Sequence, residues 1–310
     1  MSQQLNYGLG GGRSYSQYYR HSNRAGAMGI ILGIVGGLAI AVVAAFAYAY
    51  LISYVRFIYL CAIGTVAYGA ILGHFPAKIM RWGKVRSLPV VLTLISMIAA
   101  ASYVLHWFIW IYVLVNRSAS VSLLDMLTNP KGVLRVIGAV YVEGTWGMTT
   151  GESTTGVMLG AVWVAEAGII FGMALYLATK SQNAVPFCEK CNRWCPAGTR
   201  LRSLKMAVPH ALKHRMENGE WSYFDEIGVA DENADMFISI IHHACPLCGT
   251  LHTLSANAIE RSVDSRGRKK TKVTCIVNKL LVSPADVEAS RLSGYKRFET
   301  TKPEVGEADW

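Results

Sequence analysis

Residues 28–74 read MGIILGIVGGLAIAVVAAFAYAYLISYVRFIYLCAIGTVAYGAILGH, and Arg56 is the only Lys, Arg, Asp or Glu among them. As a single helix this stretch would run about 70 Å, more than twice the roughly 30 Å hydrocarbon core of a bilayer. Two spans, about 28–52 and 57–74, folded into a tight hairpin at Ser53-Tyr54-Val55-Arg56, remove the excess. Two more runs have the same character: 89–115 (PVVLTLISMIAAASYVLHWFIWIYVLV) and 157–178 (VMLGAVWVAEAGIIFGMALYLA). Apolar runs of this length are the mark of membrane helices. The 310-residue chain is 52% hydrophobic and 16% charged, against about 25% charged in ordinary soluble domains. A four-span membrane protein is expected. No cleavable signal peptide is expected, because 26 largely polar residues precede the first run and no cleavage site follows.

Lysine and arginine set the orientation. The leading tail carries Arg13, Arg20 and Arg24, the connection between the second and third spans Lys78, Arg81, Lys84 and Arg86. After the fourth span come Lys180, Lys190, Arg193, Arg200 and Arg202. The first hairpin has Arg56 alone, and the loop 116–156 balances Arg117, Lys131 and Arg135 against Asp125, Glu143 and Glu152. Four spans put all the basic segments on one side, so both termini are expected in the cytoplasm. The net charge of +10 gives little reason to expect nucleic acid: from residue 179 onward 19 Lys and Arg meet 16 Asp and Glu. The remaining excess sits in the membrane half, where it sets topology and meets lipid.

Residues 1–26, rich in Tyr, Ser, Gln and Gly, have no apolar period and read as a disordered cytoplasmic tail. The transmembrane domain is then 27–180. Its first span repeats a small residue every fourth position, Gly29, Gly33, Gly37, Ala41, Ala45 and Ala49, and the second carries Cys61, Thr65, Gly69 and Gly73. Such stripes let backbones approach closely in lipid; packing within the hairpin is the favoured use, with a homo-oligomer as the alternative. In the outer loop, Asn129-Pro130 opens an expected amphipathic helix with Val133, Leu134, Ile137, Val140 and Tyr141 on one face, ending near Gly144. It is expected to lie on the outer membrane surface, with Trp146 at the interface.

Past the last span stand two Cys-x-x-Cys pairs, Cys188/Cys191 in FCEKCNRWC and Cys245/Cys248 in ACPLCGT. Four thiolates in two such knuckles suit tetrahedral Zn²⁺. Asn192 and Gly249, one residue past each pair, tolerate the positive φ of a tight turn. A reducing compartment favours metal-bound thiolates over disulfides, which agrees with a cytoplasmic tail. Iron in a rubredoxin-like centre is the alternative; thiol-redox chemistry would want a βαβ context that is missing. Cys195 reads as a spare thiol that could compete for the metal, and Cys275 as an inward strand residue. His242, His243 and His252 flank the second knuckle and read as strand residues.

Residues 181–297 form the expected soluble domain, of α+β class. A helix is expected at 209–222, weakened at Gly219, and strands at 236–243, 251–263 and 271–283. Asp264-Ser265-Arg266-Gly267 turns the last two into a hairpin. Knuckle, strand, knuckle and hairpin give a zinc-ribbon-like fold with a helical insertion, followed by a flexible acidic end, 298–310. The basic turn Arg266, Arg268, Lys269, Lys270 and Lys272 lacks the interleaved aromatics that stack bases.

Inside the spans, Glu166 and His106 each lie nine residues from the outer edge of their helix, so they are expected to pair. The pair is either a buried hydrogen bond or part of a proton or ion relay. No Gly-rich phosphate loop, His-Glu-x-x-His motif, nucleophile elbow or paired carboxylates are present, and the chain does not read as an enzyme.

Five segments, IYLCAIGTVAYG (58–69), GKVR (83–86), NPKGVLRVIGAVYVEGTWGM (129–148), GVMLGAVWVAEAGI (156–169) and PFCEKCNRW (186–194), carry a resemblance. The chain resembles uncharacterised bacterial four-span membrane proteins with a cytoplasmic zinc-ribbon-like tail, over about residues 28–195. The resemblance implies that topology and a bacterial inner membrane, and brings no function with it. The expectation is a membrane-anchored interaction or regulatory protein whose ribbon recruits a cytoplasmic partner. The rivals are a small transporter or channel-like protein using Glu166 and His106, and a membrane-bound oxidoreductase with a four-cysteine metal centre.

Overall fold

A computed structural model of the chain describes residues 18–55, 57–116, 120–144, 154–231 and 234–291. Arg13 and the rest of the leading tail to residue 17, Arg56, Arg117, Trp146, Glu152 and the acidic end 298–310 lie outside the described residues. The chain divides into a helical unit, residues 21–184, and a sheet unit made of residues 185 onward together with the stretch up to Arg20.

The helical unit begins with α1 (Ala27–Tyr54), α2 (Ile58–Trp82) and α3 (Leu88–Val115). Two short helices, α4 (Leu123–Thr128) and α5 (Pro130–Glu143), precede the long α6 (Gly156–Gln182). Helices α1, α2, α3 and α6 are each long and apolar enough to cross a membrane. They pack in a ring: α1 touches α2 and α3, and α6 closes it against α2 and α3. Helix α1 turns its small residues inward, with Gly29, Gly33, Gly37, Ala41, Ala45 and Ala49 all buried, and its own Val35 and Val43 outward, 65% and 70% exposed. Larger residues of the other long helices, among them Leu72, Met80, Ile95, Ile98 and Ile170, fill the core against it. A small-residue face of this kind lets helices pack closely, which is the packing an apolar solvent favours.

The stripe on α1 is used inside the bundle. Gly29 lies against Gly83 and Val85, Gly33 against Met80, and Gly37 against Ile98 and Pro76. The stripe on α2 divides its contacts. Thr65 meets Tyr48 of α1, whereas Gly69 and Gly73 lie against the backbone of α6 at Ile170 and Ala174. Helix α2 also outruns the expected span: it continues through Pro76, so Lys78 and Arg81 stand on its last turns rather than in a connection. Arg81 donates from Nη1 to the Ser181 carbonyl at 2.8 Å, a cation on the carbonyl-rich end of α6.

Asn129 caps α5 as expected, its side chain accepting the Gly132 N–H at 3.0 Å. Val133 and Val140 are buried, but Leu134 of the same expected face is exposed. Val133 joins Met126 of α4 and Ile111 of α3 in one cluster, so this short helix docks on the ends of longer ones. The helix at 123–128 is too short to show a period in the sequence, and none is expected there.

The sheet unit contains a two-stranded ribbon, β1 (Phe187–Cys188) with β2 (Arg193–Trp194), and a four-stranded antiparallel sheet. The sheet comprises β3 (Thr199–Leu204), β4 (Met236–Ala244), β5 (His252–Val263) and β6 (Lys269–Val282), in that order. Helices α7 (Pro209–Asn218) and α8 (Tyr223–Ile227) stand between β3 and β4, and α9 (Pro284–Arg291) follows β6. Gly219, at φ 72°, ends α7 in the left-handed region, which glycine adopts at little cost. Leu204, Leu212, Met216, Phe224, Ile238, Ile240, Leu254 and Leu280 form the core.

Three local features depart from the expected pattern. Strand β3 is hidden in the sequence because a register shift between Arg200 and Arg202 breaks its alternation and turns Arg202 inward. There it pairs with Asp225 at 2.9 Å. Cys275 is exposed rather than core. Ala256 faces Val277 while the next residue, Asn257, faces Cys275, so Ile276 is an extra residue that flips the face beyond it. Finally, Tyr18 and Tyr19, assigned by composition to a disordered tail, are tied to the sheet unit. Tyr18 bridges to Leu280 and donates to Glu217 at 2.7 Å. The Tyr19 N–H donates to the Lys279 carbonyl at 2.9 Å.

Candidate metal centre and a polar cavity

Each half of the cysteine cluster is built by a short turn. Cys188 ends β1 and Cys191 sits in the turn to β2, with Asn192 at φ 51°. Cys245 follows β4, and Gly249 stands at φ 56° after Cys248. Both turn residues adopt the positive φ expected of them. The second turn is closed by Gly249 N–H to Cys245 C=O at 3.1 Å and Cys245 N–H to Leu251 C=O at 3.0 Å. The hydroxyl of Tyr19 accepts the Phe187 N–H at 2.8 Å and so braces the first turn.

These turns bring the Sγ atoms of Cys188, Cys191, Cys245 and Cys248 within 4.8 Å of one another, a group that could hold a metal ion. Cys188 and Cys248 are 3.5 Å apart. Four sulfurs about 2.3 Å from a tetrahedral ion would be about 3.8 Å apart, so the cluster needs little adjustment to fit. Cys188 and Cys245 are buried, and Cys191 and Cys248 half-buried. The Cys248 thiol, then burial, pushes Cys191 up to about 12, and burial raises Cys188. Cys248 alone moves down, to about 6, under hydrogen bonds from the Thr250 side chain and backbone. Cys195 is buried beside the cluster but is not one of its four members; burial pushes it up to about 12.

The neighbouring histidines form a relay of hydrogen bonds instead of joining the cluster. His252 Nε2 lies 2.7 Å from the Gly249 carbonyl, which only accepts, so that nitrogen carries the proton. His252 Nδ1 is then the acceptor for His242 Nε2–H at 3.0 Å, and the rings stack 5.2 Å apart. Burial, then the neighbouring His252, pushes His242 down to about 4. At the hairpin tip Asp264 accepts from the Arg266 and Arg268 backbone N–H groups and from Arg268 Nε, at 2.9–3.0 Å.

In the helical unit, His106 and Glu166 reach one cavity of about 330 Å³ without the direct pairing expected of them. Tyr48 stands between. Its hydroxyl donates to Glu166 Oε1 and shares a 2.8 Å hydrogen bond with Thr65. Its ring stacks on Tyr68 at 4.5 Å and meets His106 edge-on at 5.3 Å. His106 is 1% exposed, and its Nδ1 finds no hydrogen-bond partner among the described residues. Equal depth put the two residues at one level, but a tyrosine on the facing α1 reaches the carboxyl first. Tyr48 falls three positions after Ala45 of the small-residue stripe and one before Ala49, so its inward direction was legible there. No protein-family model matches the chain, nor does any curated protein or solved structure.

Proposed function

We propose that the protein is a membrane-anchored interaction module in which a zinc-ribbon-like sheet unit recruits a cytoplasmic protein to a bacterial inner membrane. One observation carries the reading: the four cysteine Sγ atoms lie within 4.8 Å of one another, enough ligands to fill a tetrahedral metal's shell. Four thiolates leave no coordination position for substrate or water, which is the signature of a metal that holds a fold together. Zinc supplies that role without redox chemistry; a rubredoxin-like iron is the competing occupant, and the metal content decides between them. Four membrane-capable helices make anchoring the natural task of the other unit. The Lys/Arg distribution supports both termini inside.

The β5–β6 hairpin is the surface we assign to the partner. Val263 and Val273 are 64% and 59% exposed on it, beside the basic turn. Edge strands of this kind accept an added strand from a partner. A photo-crosslinking residue at Val273 of the full-length protein in its host should capture one cytoplasmic protein, and the same residue at Lys213 on α7 should not. Purified protein should carry about one Zn²⁺ per chain, and Cys245→Ser should abolish both the metal and the crosslink. A crosslink that survives loss of the metal would overturn the reading.

A further inference from the structure

The cavity in the helical unit plays no part in the function proposed above, and its wall is specific. One carboxyl group, Glu166, is set among five rings, Tyr48, His106, Trp107, Trp110 and Trp163. The three indoles are continuous: Trp107 meets Trp163 edge-on at 4.9 Å and Trp110 at 5.4 Å. At about 330 Å³ the space falls within the roughly 300–1,000 Å³ of small-molecule sites. No Lys or Arg is found among the described residues that line it.

We propose that this cavity binds a small organic cation, a substituted ammonium bearing an apolar or aromatic group. The Glu166 carboxylate and the faces of Trp107, Trp110 and Trp163 would share its charge. The argument is one of elimination by chemistry. Indole is the best of the side-chain π faces for a cation, and the attraction grows when water is excluded. A neutral apolar guest would leave the acid's charge uncompensated, with only the neutral Tyr48 hydroxyl bonded to it among the described residues. A bare Ca²⁺ would want about six or more oxygen ligands, and indoles supply none. An anion would face the carboxylate. His106 is not bonded to Glu166, so it does not occupy the acid in the ligand's place. An ionisable residue on a membrane-capable helix is a functional position by default, and here it opens onto a space that fits a ligand.

The test uses the full-length protein in nanodiscs, with benzyltrimethylammonium as probe and neopentylbenzene as its uncharged isostere. Binding is read from tryptophan fluorescence, corrected for partition into protein-free discs. The cation should bind saturably and about tenfold or more tighter than the isostere. Glu166→Gln, which keeps an acceptor for Tyr48, should weaken the cation about tenfold and leave the isostere unchanged, while Glu166→Asp should retain the preference. Equal affinity for cation and isostere, no binding by folded wild-type protein, or a cation affinity indifferent to Glu166→Gln would each overturn the proposal. Should Glu166→Gln not fold, the wild-type comparison still decides. Arg56 lies outside the described residues but adjoins Val55, which lines the cavity. Phenylacetate binding that Arg56→Gln abolishes would assign the site to an anion instead. None of these results depends on the metal content of the sheet unit, so the two proposals fail separately.

Discussion

The two units hold together by opposite means. In the helical unit, specificity comes from side chains that are missing: Gly73 lets the α6 backbone at Ala174 come so close that a Cβ would collide with it. In the sheet unit, four side chains from two distant turns meet at one point. The first arrangement fails when atoms are added, the second when they are removed. Helices long and apolar enough to cross a membrane gain from such close backbone contact, because in an apolar solvent the burial of large side chains adds little. A domain with a modest core in water gains most from a cross-link between its loops.

The largest expected effect follows from subtraction. Structural zinc contributes on the order of 10 kcal/mol to small zinc domains, comparable with the whole stability of a domain, about 5–15 kcal/mol. Cys245→Ser or Cys188→Ser should therefore empty the centre and unfold the sheet unit while the four long helices persist. Hydrogen exchange measured separately over 21–184 and 185–291 should show protection lost only in the second. Equal loss in both would mean that the contrast between the units has no energetic counterpart.

Addition should break the helical unit. Gly73→Ala places a methyl against the Ala174 carbonyl and should destabilise the bundle by about 1–3 kcal/mol, the usual cost of overpacking. Gly172→Ala is the matched control, because nothing lies within 4 Å of its added Cβ. It should be neutral, or stabilising by up to about 1 kcal/mol through helix propensity. Unfolding in mixed micelles compares the two. Similar costs at both positions would remove close approach as the reason for the glycine.

What the sequence made legible divides along the same line. The presence of four long apolar helices, the hairpin break, the Asn129 cap, the two knuckles and the β5–β6 hairpin rest on local rules of period, turn chemistry and ligand spacing. The failures are long-range or lie within a strand. Cys275 stands on the other face because an extra residue at a bulge inverts an alternation that the one-letter pattern cannot count, and β3 went unread because a like irregularity between Arg200 and Arg202 breaks its period. Tyr18 and Tyr19 sat in a stretch whose composition argued for disorder, but the distant Glu217 and Leu280 hold the first and Lys279 and Phe187 the second. The direct pair of His106 with Glu166 failed because helical depth gives height but not the identity of the neighbouring helix.

That last correction sharpens into a double-mutant cycle. Tyr48→Phe keeps the stack on Tyr68 and removes the hydroxyl that serves Glu166 and Thr65. It should cost about 1–2 kcal/mol. Tyr48→Phe and Glu166→Leu should be non-additive, since they remove two ends of one bond. His106→Phe and Glu166→Leu should add to within about 0.5 kcal/mol. The reverse result, coupling of His106 with Glu166 and not of Tyr48, would restore the direct pair.

The smallest expected effect is a slope with pH in the sheet unit. His242 donates to His252, which donates in turn to the Gly249 carbonyl of the second knuckle. His242 would keep that Nε2–H donor when charged, but burial, then the neighbouring His252, disfavours its charged form and holds its pKa down to about 4. An unfolded histidine titrates near 6.5. As pH falls from about 6.5 toward 4, the unfolded chain therefore takes up a proton that the folded chain refuses, and stability declines over that window. Above it the contribution is constant. His242→Phe keeps a flat ring on His252 and removes the titration. At pH 7.5 the variant should be less stable by about 0.5–1.5 kcal/mol, the net value of one hydrogen bond. At pH 5 the gap should narrow or reverse. Zinc in excess at both pH values exposes wild type and variant alike to the acid lability of the thiolates, so the difference between them isolates the histidine. Parallel urea curves at the two pH values would show that the relay does not couple the knuckle to proton uptake.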